Sequence, residues 1–176
     1  MNSIVFVDTE IDIKSGKVLD IGCISDDGRC YHSGSVSDFD MFIDGVKYVC
    51  GHNIIKHDLP YLQRFSSVDL SEIRAIDTLY LSPLLFPERP YHALVKDDKL
   101  KTGELNNPLN DALKAKDLFY DEVSAFQGID SELKKIFFAL LGGTKEFSSF
   151  FRFSGCSGSP VETIPNIHDR FESRIC

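Results

Sequence analysis

The segment from Ile4 to Glu10, IVFVDTE, limits the possible folds more than any other stretch of the chain. It opens on β-branched and aromatic residues suited to a buried pleated strand. It then ends in two acids spaced two apart. Strand alternation puts Asp8 and Glu10 on the face that Ile4 and Phe6 occupy. Carboxylates at the end of an apolar face are costly to desolvate unless a cation offsets the cost or the strand emerges into water. Both readings stand at this point: a solvated strand end, or a ligand pair for a hard divalent cation such as Mg2+ or Mn2+.

The rest of the chain must supply a sheet and a core for that strand. A length of 176 residues is enough for one domain and short for two. A hydrophobic share of 43% beside 26% charged residues is the balance of a soluble globular protein. No apolar run is long enough to cross a membrane, and the first residues lack the basic start and apolar stretch of an export signal. A cytoplasmic location with no membrane partner is therefore expected. The five cysteines are scattered without a CxxC pair, which argues against a disulfide framework and a structural zinc site. A net charge of −8 weighs against strong stand-alone binding to nucleic acid, although bound cations would neutralise an acidic site locally.

Patterning predicts strands over 4–10, 18–25, 29–33 and 47–50, with Asp26-Asp27-Gly28 as the turn of a hairpin. A further short strand leads through Ala75 and Ile76 into Asp77-Thr78. Helices are expected over 57–65, with Pro60 in the first turn, over 79–86, and from Pro108 to about Ala125 behind an Asn107 cap. Another is expected over 131–141, stopped by Gly142-Gly143, and a short one over 92–100. Strands followed by mixed strand and helix point to an α/β layered domain over 1–153. The Gly, Ser and Pro content after Phe153 reads as a linker, or the start of a following domain, over 154–176.

Two more acids stand in suggestive places. In GHNIIKHD, Gly51 and Asn53 suit a sharp exit from a strand, and Asp58 begins a helix, where a capping role is the plain reading. His52 and His57 form no zinc pattern and read first as packing or capping residues. In NNPLNDALKAKDLF, Asp111 falls in the first helical turn, on a stripe continuing through Ala115 and Leu118. Alone, each has a structural explanation.

Taken in order, Asp-x-Glu on the first strand, Asp after Gly-His-Asn, then IDT, then an Asp opening a late helix resemble the DEDD (DnaQ-like) superfamily of 3′–5′ exonucleases. The likeness runs from Ile4 to Phe119. It implies a ribonuclease-H-like fold, a mixed sheet covered by helices. It also implies that Asp8, Glu10, Asp58 and Asp111 hold two Mg2+ or Mn2+ ions, and that the substrate is a single-stranded DNA or RNA 3′ end. Similar modules are fused ahead of larger DNA-processing enzymes such as helicases, so a fused C-terminal domain is an expected partner.

The chain departs from that pattern at the general base. Members with a histidine carry it five residues before the last acid, where this sequence has Asn106; those with a tyrosine carry it four before, at Asn107 here. Neither amide accepts a proton usefully. His92, five residues before Asp97 in HALVKD, is the rival candidate for the base. Without a base, slow turnover is expected, since such a group supplies roughly a hundred- to ten-thousand-fold. The alternatives are a degenerate module that binds nucleic acid or a partner, and a phosphohydrolase acting on a small nucleotide. Lys96, Lys99, Lys101, Lys114 and Lys116 are candidate phosphate contacts, with a solvated face as the default. Phe39, Phe42 and Phe65 could stack bases, with core packing as the default.

Overall fold

The computed structural model describes residues 3–94, 107–157, 167 and 170–172. Three strands open the chain as an antiparallel meander: β1 (Ile4–Asp12), β2 (Lys17–Ser25) and β3 (Cys30–Ser33). After α1 (Val36–Phe42), β4 (Tyr48–Gly51) returns parallel to β1, and α2 (Asp58–Leu62) leads to β5 (Arg74–Asp77), parallel to β4. Four helices follow: α3 (Thr78–Leu85), α4 (Pro108–Gly128), α5 (Ser131–Leu141) and α6 (Ser148–Phe153). The strand order β3-β2-β1-β4-β5 makes a mixed five-stranded sheet flanked by helices, an α/β fold.

β1 is central, and its alternation serves two cores. Ile4 and Phe6 pack with residues of α3, α4 and α6, while Val5 and Val7 pack with Phe39 and Ile43 next to α1 and Leu62 of α2. All four β1 side chains are buried, as expected for a strand covered on both faces. Its nine residues lie beside only four of β4, and the last pairing between them is Phe6 with Cys50. The carboxyl half of β1 therefore overhangs its parallel neighbour.

Local chemistry sets the helix starts. Asn107 accepts from the Leu109 N–H with Pro108 at the first position, and Asp77 and Asp130 cap α3 and α5 the same way. On α4 the buried stripe is Pro108, Ala112, Ala115, Phe119, Glu122 and Phe126, at spacings of four and three. Asp111 stands beside this stripe rather than on it, and Leu118 is only half-buried, which corrects the stripe expected from the sequence.

Most expected elements are present. β1 is two residues longer than predicted, α4 reaches Gly128, and α2 shortens to Asp58–Leu62. Unpredicted are α1, capped by Ser35, and α6, whose Phe150 and Phe151 are fully buried. Residues 92–94 are not helical, and the remainder of the helix expected there lies outside the described residues. Within the stretch expected to be a linker, Arg170 makes exposed ion pairs with Asp130 (2.8 Å) and Glu132 (3.2 Å) at the start of α5. No described helix is long and apolar enough to cross a membrane.

Candidate functional site

A cavity of about 370 Å³ lies at the overhanging end of β1. Asp8, Glu10, Asp58 and Asp111 all line it, together with His52, Asn53 and His57. Three separate elements deliver these acids. The two from β1 follow the register: Asp8 pairs with Gly22 and Glu10 with Asp20. Directly after Glu10 the ladder slips, because Ile11 pairs with Val18 and leaves Leu19 as an extra residue. Such a bulge increases the local twist and often re-aims side chains at the rim of a site.

Asp58 arrives by a different route. The backbone N–H of Thr9 lies beyond the last pairing of β4 with β1, and it donates to Asp58 Oδ1 at 3.0 Å; the Thr9 hydroxyl donates to the same oxygen at 2.6 Å. A side-chain carboxylate thus takes a donor that β4 is too short to reach. Asp58 is 2% exposed, so these charge-assisted bonds offset part of its desolvation. It is not the side-chain cap of α2: the N-cap residue is His57, which makes no capping bond.

The turn that carries Asp58 is tightly specified. Gly51 passes so near β1 that a Cβ there would sit 2.5 Å from the Val7 carbonyl oxygen. Asn53 has φ +66, the left-handed region that asparagine tolerates. Asp77, fully buried, accepts from the Asn53 N–H (2.8 Å), the Ile55 N–H (3.1 Å) and the Leu79 N–H (3.0 Å). Burial raises its pKa, against the pull of those three donors. Thr78 Oγ1 meets His52 Nδ1 at 2.9 Å, and His52 Nε2 is buried without a hydrogen-bond partner. Burial lowers the His52 pKa, opposed by the charge of Asp58.

The seat of Asp111 is Gly22. A Cβ at Gly22 would lie 2.0 Å from the Leu109 backbone nitrogen and 2.2 Å from the Pro108 carbonyl carbon. The first turn of α4 therefore rests directly on the strand backbone, opposite the residue that pairs with Asp8. Only glycine permits that approach. Lys114 Nζ lies 3.3 Å from Asp111 Oδ1.

The remaining candidates divide. His57 lines the cavity with Nδ1 3.7 Å from Asp58 Oδ1, and the neighbouring Asp58 carboxylate raises its pKa. His92 is held through Nδ1 by the buried Ser82 hydroxyl at 2.9 Å; its neighbours Ala93 and Leu94, rather than its ring, line the cavity. The lysines of α4 are not on a freely solvated face: Lys114 pairs with Asp111, and Lys116 Nζ donates to the carbonyls of Ser25 (3.2 Å) and Asp26 (3.4 Å). Phe39 is fully buried, Phe42 packs on Tyr31, and Phe65 is exposed beside Lys17 and Val36, outside the cavity lining. Asn106, Asp97, Lys96, Lys99 and Lys101 lie outside the described residues.

By donor type the cavity suits a hard divalent cation, since its acids offer only oxygen. As the side chains stand, no group of three or more His, Cys, Asp or Glu among the described residues is gathered closely enough to hold a metal. Two observed contacts bear on that spacing: Asp58 is occupied by Thr9, and Asp111 is turned to Lys114. The four acids singled out in the sequence line this one cavity, whereas Gly22 and the contacts of Asp77 were not anticipated. Gly22 carries no local signal, whereas Asp77 stood in the IDT motif as a buried acid ahead of a helix. Comparison with protein-family models, curated proteins and solved structures gave no match.

Proposed function

We propose that this chain is a metal-dependent 3′–5′ exonuclease of the DEDD type, built on a ribonuclease-H-like fold. One observation carries the reading: Asp8 and Glu10 from β1, Asp58 from α2 and Asp111 from α4, far apart in sequence, line one cavity. Packing alone gives no reason to bring four acids to one concave surface. The sheet order, with β1 between an antiparallel and a parallel neighbour, is compatible with that fold.

In this reading Asp8, Glu10, Asp58 and Asp111 would hold Mg2+ or Mn2+, which would supply Lewis-acid activation of water and charge stabilisation at the leaving 3′ oxygen. The protein's own part is to hold the acids and orient them. Thr9 fixes one Asp58 oxygen, while Gly22 lets α4 bring Asp111 to the rim. To hold a cation Asp111 would have to give up its contact with Lys114, which would make Lys114 a competing charge. A DNA 3′ end is the proposed substrate.

The test is a single strand labelled at its 5′ end, incubated with purified protein and Mn2+. Stepwise shortening from the 3′ end, abolished by Asp8→Ala, is expected. An intact strand with the protein's circular dichroism unchanged would sink the reading.

A second reading is a module that binds a strand or partner without cutting. The spacing of the acids favours it, as no three are gathered to ligand distance among the described residues. Calorimetry separates the two. Heat of Mn2+ binding that vanishes in Asp8→Ala supports the nuclease, and strand binding without any such heat supports the module.

A further inference from the structure

We infer that Asp77 is a positioning residue for Asp58, acting through the backbone of the turn between β4 and α2; its importance to catalysis rests on the proposed nuclease reading. Both its oxygens are committed. Oδ1 accepts from Asn53 and from Leu79, and Oδ2 accepts from Ile55. The Leu79 bond is an ordinary helix cap, but the other two cross to a different segment and close nothing in α3. They fasten the left-handed Asn53 and the residue two beyond it.

From there the connection runs through main chain. The Asn53 carbonyl accepts from the His57 N–H at 2.9 Å, and the Ile54 carbonyl accepts from Leu59 at 3.0 Å. Those two bonds wrap the turn around residue 58 and aim its carboxylate at Thr9. Asp77 does not line the cavity, so it is not a fifth ligand. A buried carboxylate of raised pKa, held by three backbone donors, costs more than a cap requires, because serine caps a helix nearly as well.

Two substitutions separate the cap from the pin. In Asp77→Ser the hydroxyl still caps α3 but is too short to reach residues 53 and 55. In Asp77→Asn one oxygen remains for Asn53 and Leu79, and the amide nitrogen faces the Ile55 N–H, donor against donor. Amide hydrogen exchange is followed on metal-free protein, with Mn2+ calorimetry alongside. In Asp77→Ser, the Thr9, Asn53 and Ile55 amides should exchange about tenfold faster or more, with Leu79 and the core amide of Phe6 changing less than about threefold. Asp77→Asn should fall between this variant and wild type, and Mn2+ affinity should follow the Thr9 amide. Thr9 protection that survives in both variants overturns the inference, as does acceleration of Leu79 equal to that of Thr9 in Asp77→Asn. If wild-type protein binds no Mn2+, the nuclease reading falls, while the Thr9 amide still decides what Asp77 positions.

Discussion

Two carboxylates on the same helix meet opposite fates. Asp111, in the first turn of α4, borders the cavity, keeps partial access to solvent and has Lys114 at 3.3 Å. Glu122, eleven residues and about three turns further on, has no exposed surface and no hydrogen-bond partner for either oxygen. Burial, reinforced by the charge of Asp77, raises its pKa to about 9 against a pull from Arg89. A carboxyl group with its pKa raised this far therefore sits in the core and not in the cavity. A shifted pKa is a weaker guide to a site here than the meeting of acids from separate elements.

The largest expected effect separates the two acids by activity. Asp111→Ala should cost about a hundredfold or more in turnover on a labelled strand, with a melting temperature near wild type, while Glu122→Gln should leave turnover within a few-fold. Equal losses would erase the distinction between them. Next comes the seat of α4. Gly22→Ala puts a Cβ into the backbone of Pro108 and Leu109, and should destabilise by about 3 kcal/mol in urea unfolding while displacing Asp111. A variant as stable as wild type would mean that α4 does not need that close seat.

The Glu122 environment makes a pH prediction. Its pKa is near 4.5 in the unfolded chain and raised to about 9 when folded, so the folded state holds the proton more tightly. Its contribution to stability is fully present below about pH 4.5 and is lost as pH rises towards about 9, at no more than about 1.4 kcal/mol per unit. Urea unfolding at pH 5, 7 and 9 should show this slope in wild type and lose it in Glu122→Gln. The smallest effect concerns Lys114, which in the proposed reading competes with a cation for Asp111. Lys114→Ala should tighten Mn2+ binding by a few-fold, about 1 kcal/mol or less, since a part-exposed ion pair is worth little. Weaker binding in calorimetry would make Lys114 a helper instead.

The same contrast marks how far the sequence could be read. The strand bearing Asp8 and Glu10, the hairpin turn at 26–28, the start of α4 and the whole of α5 were legible, because alternation, turn chemistry and caps are local. The apolar stripe of α4 was placed one residue off at Asp111 and Leu118, and Glu122, the acid that does lie on the stripe, went unnoticed. Short α1 and α6 have too few residues to show a period and form against the sheet they cover. Gly22 and the reach of Asp77 to residues 53 and 55 are relations between distant segments, which no window of sequence contains. Lys116 looked like an outward cation; only the fold brings the carbonyls of the hairpin turn beneath it.

The mismatch in length between β1 and β4 governs what can be altered at this end of the molecule. The hollow lies where a neighbouring strand stops early, at Gly51, and the residues just past that stop, His52 and Asn53, line it. Exchanging side chains would retune the lining without closing it. Adding two residues to β4 would carry its ladder further along β1, towards the Thr9 N–H that Asp58 now takes, and bring backbone into the space.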